Sequence, residues 1–388
     1  MAEGPVVVNR KGEARVLRGH PWVFRTDVVR AQGITPGAVV GVEGPRGRHL
    51  GFAFYSSRSE IRLRMIDRGE ALPESFLRDR VEAAVRWRDS MAAGAAACRL
   101  VHGEGDRLPS LIVDRYGEHL VVQTLSQGTE ARKDELVRIL VDLLHPAGIL
   151  ERNDPKVRAL EGLDQRVGLL HGAVPDRVEV EEGDVRFEAD LWRGQKTGLF
   201  LDQRENHLMA RTYARGRVLD GFSYHGGFAL HAARAASDVL AVDASADAVA
   251  RIARNAERNG LTNVVAREAN VFDLLRELHD RGDRFDTVIL DPPAFAKSKD
   301  AVEKAVRGYK EINLRALKVL EPGGFLVTCS CSYHVHEADF EEILAAAAAD
   351  AGATVTVVEK RRQGRDHPVV LGVPETYYLK CFVLRKLT

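Results

Sequence analysis

Cysteine is scarce: 388 residues carry four, Cys98, Cys329, Cys331 and Cys381. They are too few and too unevenly spaced for a disulfide framework, and no second Cys or His pair completes a zinc site. No metal is expected, and the thiols are expected to be reduced, as in the cytoplasm. No apolar run reaches the roughly 20 residues that a bilayer-crossing helix needs. Residues 1–10 have no signal-peptide core. A cytoplasmic protein with no membrane partner is the expectation. Charge of one sign is also missing, with 56 basic and 56 acidic residues, so overall charge points to no polyanion. Two phosphate-binding signatures are absent as well. There is no Gly-x-Gly-x-x-Gly of a dinucleotide fold and no Gly-Lys-Ser/Thr of a nucleotide loop.

What is present centres on residues 217–243. Val218-Leu219 is a short apolar run that ends at Asp220. A loop of mostly small residues follows, with Phe222, Ser223, Gly226 and Gly227, then an alanine-rich helix over 228–236. Val239–Val242 is a second apolar run ending in Asp243. Strand, glycine loop, helix, strand and acid make the first half of a nucleoside-binding α/β unit, whose ligand lies beyond the carboxyl ends of parallel strands. Gly226 and Gly227 are expected to let the backbone approach that ligand, and Asp243 can accept from both ribose hydroxyls. A ribose without a phosphate cradle suits S-adenosylmethionine.

At this length two or three domains are expected. Residues 1–70 read as a small β-barrel with turns of Gly, Pro and Arg. Before Gly69 there are twelve basic and six acidic residues, nearly all the bases being Arg. That surplus fits an RNA-facing surface, or equally a solvated basic face. Ile61–Ile66 alternates apolar and basic residues, so one face should be core and the other should present Arg62 and Arg64 to substrate. Trp22 and Phe24 read as core. Residues 71–190 read as an α+β domain: a helix over 73–97, a polar loop at 99–106, a hairpin, a helix, a strand and a second hairpin. Glu104, Asp106 and Asp114 read as solvated acids. Residues 191–388 read as a doubly wound, Rossmann-like domain. Gln203 and Arg204, just before the organising stretch, are expected beside the cofactor. The whole is a multidomain α/β protein.

Three strand ends converge on one crevice. Asn270 falls where an adenine edge would be read. Asp291-Pro292-Pro293-Ala294-Phe295 supplies a carboxylate for a base, a wall without competing N–H groups from Pro292 and Pro293, and an aromatic face at Phe295. Such a base must be unpaired or extruded. The next strand runs into Thr328-Cys329-Ser330-Cys331-Ser332. A thiolate added at C6 of cytosine makes C5 reactive toward a sulfonium methyl. Alternation does not separate Cys329 from Cys331, which share parity. Cys331 lies nearer the crevice and is preferred, whereas Cys329 is expected to pack in the sheet.

These residues resemble the RlmI-type ribosomal RNA large-subunit cytosine-C5 methyltransferases. The likeness rests on Lys196-Thr197-Gly198 through Asn206, Phe222-Ser223-Tyr224-His225-Gly226-Gly227-Phe228, Asp291–Phe295, Arg307-Gly308-Tyr309 through Asn313, Ser330-Cys331-Ser332, and Asp366–Val369 with Tyr378-Leu379-Lys380. It implies a PUA domain, a central domain and a class I methyltransferase domain. It also implies S-adenosylmethionine as cofactor and 23S ribosomal RNA as partner, with Cys331 as nucleophile and Asp291 orienting the cytosine. A monomer or a homodimer fits equally. Two departures stand out: Asn270 replaces a frequent acid, and Cys329 is an added thiol. The Asp291 turn also lacks a second cysteine, so no side chain is assigned to take the C5 proton; water is one candidate. Two readings compete. One is methylation of a base nitrogen, which needs no cysteine. The other is an RNA-binding assembly factor with no catalytic activity. A dehydrogenase would need the missing glycine signature.

Overall fold

The short apolar runs of the first 70 residues pair with one another. In the computed structural model, which describes residues 2–92, 94–296 and 299–388, they form a six-stranded sheet within Glu3–Asp67. Val6, Val8, Val23, Val40, Val42 and Leu63 fill its core. A helix at Arg10–Leu17 was not anticipated. Asn9 caps it by accepting from the Gly12 N–H at 2.9 Å, a local signal that the strand pattern masked.

Arg64 corrects an expectation. It is buried, with Nη2 2.8 Å from Glu161 Oε1, itself almost fully buried. Alternation established that the two faces of the strand differ. It did not establish that the polar face meets water, and here residues beyond the barrel cover it. Gly128, for instance, lies so close to Phe54 that an added Cβ would come within 2.4 Å of the ring. Arg62 is half-buried, donating to the Ser56 carbonyl at 2.6 Å. Trp22 is half-buried and donates to Glu104 at 2.9 Å.

A five-stranded sheet follows within residues 97–172. The expected loop at 99–106 is a strand, Ala97–His102, and then a single turn. The strand Arg166–Gly172 was not anticipated. Asp106 and Asp114 of this region are ion-paired. Asp106 accepts from fully buried Arg88 at 2.8 Å, and Asp114 accepts from Arg99 at 2.8 Å and from Thr197 at 2.6 Å. The two sheets belong to one compact unit, residues 1–180, 189–201 and 365–376. The second unit is residues 181–188, 202–364 and 377–388. The chain therefore returns to the first unit near its end, which a linear division at 70 and 190 does not capture.

The second unit is built on a seven-stranded sheet. Its strands are Arg217–Gly221 (β1), Asp238–Asp243 (β2), Val264–Glu268 (β3), Phe285–Leu290 (β4), Leu320–Ser330 (β5), Val355–Arg362 (β6) and Lys380–Lys386 (β7). The order is β3-β2-β1-β4-β5-β7-β6. The first five strands are parallel, and β7 is antiparallel to both neighbours. β1 and β4 are buried over nearly their whole length and β5 over its carboxyl half, as expected of parallel strands covered on both faces. Helices Arg204–Tyr213 (α1), Gly227–Ala233 (α2), Ala246–Arg258 (α3), Val271–Asp280 (α4), Val302–Val319 (α5) and Glu337–Ala351 (α6) complete it. Leu274, Leu278, Ile312, Leu317 and Phe340 pack with Val288 and Leu326 in one core. From β1 the chain runs outward through β2 to β3, then crosses back to β4 on the other side of β1. The topological switch point, where such sheets bind ligands, therefore lies between β1 and β4.

Candidate cofactor and catalytic site

The loop between β1 and α2 is bent sharply. Phe222, Tyr224 and Gly226 all have left-handed backbones, with φ of 65°, 53° and 89°. Only the last is glycine, so the other two hold a conformation costing about 1 kcal/mol or more each. Hydrogen bonds retain them. Ser223 N–H donates to Val242 O at 2.9 Å, Tyr224 N–H to Asp243 Oδ2 at 2.9 Å, and Gly226 N–H to Ser223 O at 2.9 Å. Asp243 also accepts from the Ser245 N–H at 2.9 Å. Its carboxylate is thereby aimed at the end of β2 while lone pairs remain for hydroxyl donors.

Gly227 has a steric reason for its glycine besides the approach to a ligand. A Cβ there would lie 2.5 Å from His207 Cε1. The close neighbour is a histidine ring of α1. That ring belongs to a buried cluster missed from sequence. His207 Nδ1 lies 2.9 Å from Glu182 Oε1, and His231 Nε2 3.1 Å from the same oxygen. Burial pushes the Glu182 carboxyl up, but the two histidines outweigh it and hold it at about 2. Burial pulls His207 down, and Glu182, then Asp291 and Asp220, more than reverse that. The net shift is upward and favours the cationic form of the ring behind the loop. Its residues come from distant parts of the chain and left no motif.

Asp220, the penultimate residue of β1, is fully buried. Its Oδ2 accepts from Ser223 Oγ at 2.5 Å and Ala229 N–H at 3.0 Å, while Oδ1 has no partner among the described residues. Burial first, with the charge of Asp291 adding to it, pushes this carboxyl up to about 7. An orphaned acceptor of this kind suits a donor that the chain itself does not supply. Asn270 caps α4, and its Oδ1 already accepts from the Phe272 N–H at 2.9 Å. The expected adenine acceptor therefore has a structural duty, and the exposed amide keeps one lone pair and its Nδ2.

Asp291 follows β4, its N–H 3.4 Å from Gly221 O of β1. Gln203 Nε2 donates to Asp291 Oδ1 at 2.9 Å, and Asn206 Nδ2 donates to Gln203 Oε1 at 2.6 Å. Gln203 is buried and holds this carboxylate. Arg204 lies 3.9 Å from Glu205. Pro292 is buried and Pro293 exposed. Phe295 is half-buried against Tyr309, with ring centroids 4.6 Å apart, and against Phe272 at 5.9 Å. Part of its surface is thus spent on packing.

Cys331 lies just past the end of β5, half-buried, with Sγ 4.0 Å from Pro292 O. Ser332 is buried; its Oγ accepts from the Ala296 N–H at 3.1 Å and lies 2.9 Å from Tyr309 Oη. Cys329 pairs across strands with Cys381, and both are fully buried. Burial, then the Cys381 thiol, pushes Cys329 well above the usual thiol range, so it stays protonated. What parity left open, burial separates. Lys380 enters the same corner: its Nζ donates to Ser332 O at 2.7 Å and Tyr378 O at 3.0 Å.

A switch-point crevice with an acid-tipped second strand, a kinked glycine loop and no phosphate cradle defines a nucleoside-cofactor transferase domain. Residues 6–68 match the PUA-like domain family, and residues 99–382 match the family of S-adenosylmethionine-dependent methyltransferases. Ribosomal RNA large subunit methyltransferase I of Photobacterium profundum is 42% identical over 384 residues, covering 96% of this chain and 97% of that one. Its counterpart in Shigella boydii is 39% identical, covering 98% of each. A methyltransferase complexed with SAH superposes with a TM-score of 0.85 at 21% identity, over 99% of this chain and all of the other. A SAM-dependent methyltransferase from Streptococcus mutans gives 0.83, also at 21% identity and with the same coverage. The chain belongs to the S-adenosylmethionine-dependent methyltransferases, within the Ribosomal RNA large subunit methyltransferase I family. Its cofactor is S-adenosylmethionine.

Proposed function

We propose that this protein methylates carbon 5 of a cytosine in large-subunit (23S) ribosomal RNA in the cytoplasm, through a thiolate adduct at Cys331. The observation that carries the reading is the 4.0 Å approach of Cys331 Sγ to Pro292 O, which brings the thiol to the Asp-Pro-Pro turn. The relatives are named as large-subunit ribosomal RNA methyltransferases, which supports the substrate.

When bound, S-adenosylmethionine supplies a methyl group on a positively charged sulfur. Asp243 accepts from the ribose hydroxyls, and Asp220, Phe222, Ser223 and Gly226 shape the loop around the cofactor. Asn270 meets the adenine edge with its remaining lone pair or its Nδ2. Gln203 holds Asp291, whose carboxylate accepts from the cytosine edge. Cys331 Sγ adds to C6, the bond that makes C5 nucleophilic. After C5 is methylated, loss of its proton expels the thiolate and restores the ring. Arg62 and the N-terminal barrel contribute to RNA binding, but buried Arg64 does not.

The test is mass spectrometry of large-subunit RNA after incubation with protein and labelled cofactor. Label in 5-methylcytidine, lost in Cys331→Ala and kept in Cys329→Ala, is the expected result. Label on a base nitrogen, or an active Cys331→Ala, refutes the thiolate route. Absence of cofactor binding by calorimetry would instead favour a non-catalytic assembly factor.

A further inference from the structure

Lys380 is 2% exposed, and a buried ammonium is costly unless something uses it. It stands opposite Ser330 in the antiparallel pair of β7 and β5. From there it reaches over the strand end, and two of its three N–H bonds go to the carbonyls of Ser332 and Tyr378. The turn it clamps holds Cys331. The same turn is fixed on its other sides by the Ala296 N–H and the Tyr309 hydroxyl at Ser332 Oγ, and by Pro292 O beside Cys331 Sγ. Backbone carbonyls partly compensate a cation but carry no net charge. Such a site is suited to an anion that forms only during the reaction.

We infer that Lys380 is a positioning residue for Cys331, its buried ammonium fixing the Cys331-Ser332 turn and stabilising the thiolate over the thiol. The inference rests on the reading of Cys331 as the nucleophile. The charges around it agree. Burial pulls the Lys380 amine down to about 8, and the largest opposing charge is that of a Cys331 thiolate, ahead of Asp339 and Glu337. Glu337 and Asp339 come from the start of α6, and Tyr309 faces the thiol from α5. Lys380 is a cation bonded directly to the turn. A thiolate beside a lysine is a recognised route to a reactive cysteine. Neither the Ser-Cys-Ser motif nor the Tyr-Leu-Lys motif discloses it, because 48 residues separate the Lys380 amine from the Ser332 carbonyl.

The test reads Cys331 without RNA or cofactor. The full-length protein is treated with iodoacetamide from pH 5.5 to 9.5, and modification of the Cys331 peptide is followed by mass spectrometry. The thiolate sulfur forms a bond to the acetamide carbon and iodide leaves, so the rate tracks thiolate. Lys380→Met should slow this reaction at pH 7 by about tenfold and move its pH profile up by about one unit. Lys380→Arg, which keeps the charge, should restore most of the rate. A Lys380→Met profile that overlays wild type overturns the inference. If Lys380→Met does not fold, the wild-type profile decides alone: a midpoint at or above the ordinary thiol value of about 8.5 overturns the inference, and one clearly below it supports it. Failure here is distinct from failure of the nucleophile reading, which an active Cys331→Ala would reveal while leaving this profile readable.

Discussion

Gly227→Ala puts one methyl group against the His207 ring behind the cofactor loop. Its Cβ would lie 2.5, 2.6 and 2.9 Å from three atoms of the His207 ring, whereas carbon contacts settle near 3.5–4.0 Å. The ring must retreat by about 1 Å. It has little freedom to do so: it is buried, bonded to Glu182 at 2.9 Å and packed edge-on against Phe228 at 4.7 Å. Overpacking alone costs about 1–3 kcal/mol. If the retreat breaks the bond to Glu182, a buried ion loses a partner, at up to about 3–5 kcal/mol. A retreat that weakens the Glu182 bond without losing it puts the cost between these limits, at about 2–5 kcal/mol. For a domain of this size that lowers the melting temperature by about 5–15 °C. Cofactor affinity should fall with it, since Gly227 is the first residue of α2 after the loop. Thermal unfolding and calorimetry measure both. Adding His207→Ala should recover part of the loss, as a coupling of about 0.5–3 kcal/mol. If Gly227→Ala melts within about 2 °C of wild type, a cost below about 1 kcal/mol, or the double mutant is strictly additive, the steric account is wrong.

Other outcomes follow from the same geometry. Arg64→Ala strands buried Glu161 and should destabilise the first unit by about 3–5 kcal/mol, seen in thermal melts, whereas Arg62→Ala should change the melt little and weaken RNA binding. A purely RNA-binding phenotype for Arg64→Ala would contradict its burial. The Glu182–His207 pair predicts a stability window. Glu182, depressed from 4.5 to about 2, gives stability present above pH 4.5 and lost as pH falls toward 2. His207, raised above 6.5, gives stability present below pH 6.5 and lost as pH rises through its folded value. Glu182→Gln should lower the melting temperature most between pH 4.5 and 6.5, and a uniform drop across pH would count against the ion pair. Asp243→Ala should weaken cofactor binding by about 1.5–3 kcal/mol per charge-assisted hydrogen bond lost, which calorimetry tests directly; unchanged affinity would remove Asp243 from the site.

Period and punctuation in the sequence were enough to read the parallel strands of the second unit. Apolar runs at 218–219, 239–242 and 288–290, each followed directly by an acid, form parallel strands because they must be buried on both faces, and their carboxyl ends meet at the switch point. The Asp-Pro-Pro turn and the Ser-Cys-Ser strand end were legible for the same reason: local signals sit next to the residues they place. The tertiary structure alone decided everything that depends on which surfaces meet. It buried Arg64 against Glu161 although its strand alternates as an exposed one would. It separated Cys329 from Cys331, equal in parity, by pairing the first with Cys381 and ending the strand before the second. It gathered Glu182, His207 and His231 behind the loop and brought Lys380 over the turn at Cys331. Those contacts join residues dozens of positions apart. Hydrophobic periodicity carries no information on such pairs, because it records how each segment turns its own face and not what comes to cover it.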